Sequence, residues 1–289
     1  AGAVEAVDAE ESDVSARSAK SWVKDIPFAS LDPEDKWLSL FRAQTPSFDL
    51  RQMVNLSVYG RFQRGIATGA NAFFTLRPSR VAALGLDPQK ECVACVTKSA
   101  QVKKLVFREC DYAALWEADQ PVLLLSLSAE LSEAARHYVS VGEAQELEHR
   151  FLTKHRTPWY KTEQRKIAPL WFSVFSRGGY KVILNKSHAL HLTCFHGFQP
   201  NACGEKLVDA LFLYLSSQTG RAILGLSMRK YGAALDKFEP NDLNQAMVPP
   251  MAFWASFSDA QIAQAVEETA STGRVPVWLE AALSGLVYG

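Results

Sequence analysis

Apolar positions come in short bursts along this chain, and the spacing within the bursts changes near residue 200. From 53 to 76 the pattern is a short strand, a glycine turn and a second short strand. "PSRVAALGL" reads as a turn or two of helix closing on a glycine, while "ECVACVT", "KKLVFREC" and "PVLLLSLS" are short β-like runs. Residues 130–153 are helix-forming with a break near Gly142. In "LWFSVFSRGGYKVILNK" two Val/Ile/Phe-rich runs flank Gly178-Gly179, the pattern of a hairpin with a two-residue turn. That register pairs Arg177 with Tyr180 and Ser176 with Lys181. It sets Phe172 and Val174 on one face and Phe175 and Leu184 on the other, and makes the hairpin body core.

Past residue 200 the period becomes helical. "CGEKLVDALFLYLSSQTG" is predicted to end at Gly220 as a C-cap. Ser258 and Gln261 stand in capping-box spacing for a helix ending near Gly273, and "VPVWLEAALSGL" reads as a last helix. "EPNDLNQAMVPP" reads as an ordered loop. The predicted fold class is α+β: a mixed short-stranded sheet with hairpins, followed by packed helices. Residues 1–20 read as an acidic flexible arm and 21–50 as a connector carrying one helix, "PEDKWLSLFRA", capped by Asp32. Residues 51–289 read as the main domain, with a sub-boundary near 200.

Composition narrows the class. At 289 residues with 48% hydrophobic and 21% charged side chains, the chain can bury a core. No apolar run approaches the roughly 20 residues that cross a bilayer, which predicts no membrane partner. Five cysteines without a secretory leader point to reduced thiols and a cytoplasmic setting. Cys92 and Cys95 form a CxxC inside a β-branched run, where positions three apart face opposite ways. Buried small side chains are the better reading, and no metal is expected.

The net charge of zero hides a block pattern: −5 over 1–50, +7 over 51–110, −7 over 111–149, +8 over 150–190 and −3 over the remainder. Should folding join the basic blocks, they form a surface for a polyanion; should it interleave them with the acidic blocks, they are neutralised. "FLTKHRTPWYKTEQRK" (151–166) interleaves six basic side chains with Trp159 and Tyr160, the mixture that holds phosphates and stacks on bases. The competing reading makes Trp159 a core plug beneath a charged loop. No nucleophile elbow, zinc helix, Walker loop or dinucleotide fingerprint appears, and His188, His191 and His196 read as ordinary half-buried histidines.

"RGIATGANAFF" (64–74), "RTPWYK", "GGYKVILNK" and "YGAALDKFEPNDLNQAMVP" occur in the order seen in one family. Over residues 60–250 the chain resembles the C-terminal target-recognition region of TaqI-like adenine-N6 DNA methyltransferases of restriction–modification systems. The resemblance implies a domain that grips double-stranded DNA beside a separate or N-terminal methyltransferase domain, which binds S-adenosylmethionine. Neither the catalytic Asn/Asp-Pro-Pro-aromatic tetrapeptide nor a cofactor glycine motif is present, since "VPPMAF" lacks the polar residue. The sequence therefore predicts no cofactor and no methyl transfer for this chain alone.

On this reading Arg61, Arg64, Lys98, Lys103, Lys154, Arg156, Lys161, Lys181 and Lys186 contact the DNA backbone. Arg177, Asn185 and Asn71 read base edges, Thr68 bonds backbone or phosphate, Trp159 and Tyr160 stack, and Lys237 bears on DNA from the last motif. Gly65 and Gly69 give the turn its tight path. The alternative class is a protein–protein docking module that uses the acidic segments and the helical C-terminus.

Overall fold

The computed structural model of the protein describes residues 3–7, 21–25, 48–176, 179–226, 229–231 and 235–288. The chain divides after Phe48 into two compact units. In the first, Ala3–Val7 pairs antiparallel with Ser21–Asp25, with Ala3 opposite Asp25 and Val7 opposite Ser21. The acidic, small-residue composition had masked this pairing within the expected arm and connector. The helix expected after Asp32, and Arg177, lie outside the described residues.

The second unit is α+β, as predicted. Its centre is a five-stranded sheet in the order Gly60–Arg64, Phe195–Pro200, Leu170–Ser173, Val182–Lys186, Val106–Arg108. Leu170–Ser173 is buried at every position because both faces are covered, which explains an unbroken apolar run where a half-exposed strand would alternate. One face carries Phe62, Phe172 and Phe198, with Phe62 in ring contact with both of the others. Val208–Ser216 covers that side; its residues 210–215 are all buried, as befits a helix apolar around its whole circumference. The opposite face buries Trp171, Ile183, Phe107 and Phe195 in a second cluster.

The hairpin body is core, but its register differs from the prediction. Val182 lies opposite Phe172 and Leu184 opposite Leu170, so Leu184 shares a face with Phe172. A two-residue turn would have carried the pairing through Ser176. Instead the chain leaves the sheet after Ser173, and Phe175–Ser176 pairs with Leu235–Lys237, Phe175 opposite Lys237. Long-range pairing has overridden the local turn signal.

A second sheet runs Leu190–His191, Cys92–Val96, Leu123–Leu125, Thr75–Leu76. One parallel bridge, Ile66 to Leu192, ties it to the chain emerging from Gly60–Arg64. The long helix expected after 204 breaks at Ser217, whose side chain caps Gln218–Gly225 by accepting from Gly220 N. Gly220 is thus not a C-cap: a Cβ there would lie 2.0 Å from the Tyr214 carbonyl, so glycine lets the two helices touch. The Ser258/Gln261 capping box and the left-handed Gly273 (φ +73°) form as read.

Gly60–Arg64 is an edge strand, and its outer side is closed by a side chain. Asn244 Oδ1 accepts from Phe62 N at 2.7 Å, and Asn244 Nδ2 donates to the Phe62 carbonyl at 3.2 Å. Asn244 ends a short helix, Pro240–Asn244, within the stretch read as a loop. Glu239 caps that helix, its backbone N donating to Asp242 Oδ2.

Candidate nucleic-acid interface

The glycine turn after Arg64 is shaped by what surrounds it. A Cβ on Gly65 would sit 2.2 Å from the Leu192 carbonyl, so the bridge to the second sheet forms only with glycine. Gly69 has φ +80° and lies against Leu152, where a Cβ would come within 2.9 Å. Thr68 is 1% exposed; its hydroxyl donates to Asn71 Oδ1 at 2.5 Å and accepts from Ala70 N at 3.2 Å. That saturates Thr68 within the turn and leaves it no surface for phosphate. Asn71 is exposed at the start of Asn71–Phe74.

Segment 151–166 is clipped to this turn at two places. Arg156 donates through Nη1 to the Thr68 carbonyl at 2.8 Å and through Nη2 to the Ala67 carbonyl at 2.6 Å, with its guanidinium 5.9 Å from the Phe74 ring. Burial lowers its pKa. Arg156 is a staple between loops, and its expected phosphate contact gives way to this role. At the second clip Arg165 donates to Gln63 Oε1 at 2.9 Å, and Glu163 bridges Arg165 (2.7 Å) and Arg64 (3.5 Å). Gln199 Nε2 reaches the Lys166 carbonyl at 3.2 Å.

Between the clips Trp159 turns inward. Its ring lies 5.4 Å from Phe73 and 6.2 Å from Phe74, and its Nε1 donates to Glu143 at 3.3 Å. A Cβ on Gly142 would meet it at 2.5 Å, so the helix break read at Gly142 makes room for this indole. Trp159 is thus half-buried, packed against the core as the competing reading has it. Tyr160 is half-buried against the same cluster. Lys154, Lys161, Arg165 and Lys166 are exposed, as are Arg61 and Arg64 on the adjoining edge strand. Arg165 and Lys166 were legible only as part of the basic run and not as individual contacts.

Register locates the remaining cations. Arg64, His196, Phe172 and Val182 form one row across the sheet. Val182–Lys186 and Val106–Arg108 run parallel with Leu184 opposite Val106, and Lys181 and Lys103 precede these strands at that end. Arg64, Lys181 and Lys103 therefore stand at the same end of the sheet. Four strand spacings, roughly 19 Å at about 4.8 Å each, separate the first from the last. Lys98 leaves Cys92–Val96 in the direction in which residues 67–68 leave Ile66, because both segments run parallel to 190–192.

Lys186 lies at the opposite end, paired with Asp209 at 2.6 Å. Asn185 is 5% exposed and donates to the Ala168 and Ala189 carbonyls while accepting from Ser187; reading a base edge would require breaking the core. Asn185 is spent within the core, while Lys186 stays exposed at the far end. Lys237 pairs with Glu239 at 2.6 Å, 5.7 Å above the Phe175 ring.

His191, His196, Cys92 and Cys95 are buried and serve packing, while His188 is exposed and pairs with Glu109. His191 is held between Gly65 and Gly197, where added Cβ atoms would come within 2.7 and 2.3 Å of the imidazole; burial drives its pKa down to about 4. His196 bonds the Phe238 carbonyl at 2.9 Å, and burial lowers its pKa too. Burial pushes the Cys92 thiol up to about 12. Among the described residues no group of three or more His, Cys, Asp or Glu is arranged to hold a metal ion, and no helix is long and apolar enough to cross a membrane.

Two segments remote in sequence are thus joined by arginine clips, with exposed cations on both. Residues 42–281 match the model of the Type II methyltransferase M.Eco57I C-terminal domain, and the chain belongs to that family, the C-terminal region of restriction–modification methyltransferases. It is 37% identical over 223 residues to the Type II methyltransferase M.AccI of Acinetobacter calcoaceticus, covering 76% of this chain and 41% of that protein. It is 23% identical over 235 residues to the Type II methyltransferase M.XamI of Xanthomonas campestris pv. amaranthicola, covering 78% and 42%. The chain thus spans about two fifths of the length of these relatives. The type IIG restriction endonuclease BpuSI is similar with a TM-score of 0.47 and 13% identity, over 75% of this chain and 26% of that structure.

Proposed function

We propose that this chain is the duplex-DNA recognition part of an adenine-N6 methyltransferase of the bacterial cytoplasm, acting beside a catalytic domain of the same or a partner polypeptide. S-adenosylmethionine supplies the methyl group in that other domain; this chain holds and orients the DNA. The observation that carries the reading is the fastening of 151–166 onto 63–68. It joins the starts of the two basic blocks, with Glu163 as the acid between Arg64 and Arg165.

Arg61, Arg64, Lys154, Lys161, Arg165 and Lys166 are assigned to phosphates on one side, and Lys98, Lys103 and Lys181 extend the track along the sheet end. At 3.4 Å per base pair, roughly 19 Å of track follows about five to six base pairs, a suitable length for a short recognition site. Asn71, exposed beside the turn, is the base-edge candidate that survives. Because the net charge is zero, binding must come from this local surface and not from a global field. A mobility-shift titration of the chain with random duplex DNA at stepped salt tests the reading. Binding at low salt that weakens linearly in log–log form supports it, and the absence of any shift at low salt overturns it.

A further inference from the structure

With Trp159 half-buried against Phe73 and Phe74, the most exposed aromatic in this loop is a different one. Phe151 is 74% exposed, more than any other described phenylalanine. A single exposed apolar side chain needs no explanation by itself; what singles out Phe151 is the polar company its ring keeps. It is not part of an apolar patch: its immediate neighbours Arg150, Lys154 and His155 are exposed and basic.

The ring is also fixed in place. His155 packs edge-on against it with centroids 5.4 Å apart and planes at 67°, and the Lys154 ammonium stands 5.6 Å from the ring centre. His155 Nδ1 donates to the Phe151 carbonyl at 2.6 Å. The turn Thr153–His155 beneath is anchored by the buried Thr153, whose hydroxyl bonds the Leu147 carbonyl. Arg156, the next residue, is the staple to Ala67 and Thr68. A hydrocarbon plane bordered by a lysine and an imidazole on an anchored turn matches a nucleobase and its neighbouring phosphates: the base takes the ring face and the polar groups take the phosphate oxygens.

We infer that Phe151 is a base-stacking residue that enters the DNA helix where a base step is weakened, with Lys154 and His155 holding the flanking phosphates. The inference rests on the DNA-binding reading above and adds the group that probes the stack. Insertion requires unstacking, and that requirement falls where a base is already missing.

The test compares a short random-sequence duplex with the same duplex carrying one abasic site, using the full chain, Phe151→Ala and Phe151→Trp. The native chain is expected to prefer the abasic duplex by on the order of 10-fold. Phe151→Ala is expected to lose that preference while keeping the native salt slope and melting temperature, and Phe151→Trp to retain it. An equal preference in native and Phe151→Ala chains, or none in the native chain, overturns the inference while leaving DNA binding standing. Failure of the native chain to bind either duplex at low salt removes the DNA reading, and this inference with it.

Discussion

The side-chain amide of Asn244 pairs with the backbone of Phe62 as a neighbouring strand would, accepting from its N–H and donating to its carbonyl. One residue thereby satisfies the free edge of the central sheet and blocks edge-to-edge pairing at its most basic strand. Asn244→Asp keeps the acceptor but turns a carboxylate oxygen toward the Phe62 carbonyl. It should destabilise the fold by about 2 kcal/mol, more than a simple loss of one bond. Urea unfolding reads this directly; a midpoint equal to that of the native chain would show that the edge does not need the amide.

The Gly142–Trp159 contact makes a second prediction. Alanine at 142 gains roughly 1 kcal/mol of helix propensity, but its Cβ meets the indole at 2.5 Å. Overpacking of that kind costs about 1–3 kcal/mol, so Gly142→Ala is expected to destabilise on balance. In a Trp159→Leu background the same change should become neutral or stabilising. Additive effects in the double-mutant cycle would mean that glycine and ring are independent.

Stability should fall in mild acid. With a folded pKa of about 4 against an ordinary 6.5, His191 stays neutral when folded, whereas the unfolded chain takes up its proton between those values. Its contribution is complete above pH 6.5 and is lost as pH drops toward 4, at about 1.4 kcal/mol per pH unit. His196, shifted the same way by burial, steepens the loss. Calorimetry across that range on the native chain and His191→Gln should show a shallower fall for the variant. Parallel curves would refute the assignment.

Charge removal separates the two ends of the sheet. Arg64→Gln or Lys161→Gln should lower the log–log salt slope for duplex binding by roughly 1 each. Lys186→Gln, at the other end and already paired with Asp209, should leave it unchanged. If all three act alike, the cations do not form one track.

What the sequence disclosed depended on how local the determinant was. The glycine turn, the Ser258/Gln261 cap and the buried hairpin body are each written within a few residues, and each formed. The hairpin register was not legible, because Phe175–Ser176 is claimed by Leu235–Lys237 far along the chain. The same holds for the aromatic side chains. In isolation Trp159 is the better stacking group, but Gly142 opens a slot for it in the core and Phe151 is left outside. The glycine near the end of Glu133–Glu143 was the available signal. Asn185 and Arg156 have the chemistry of contacts and are spent on backbone carbonyls that only the folded chain brings near.

Arg156 carries a last consequence. Since its two donors lock the loop to the turn before any ligand arrives, the shape of this surface is set at folding and need not be assembled on encounter. On the proposed DNA-binding role, accommodation would then fall to the nucleic acid, facing a template whose own freedom has already been given up.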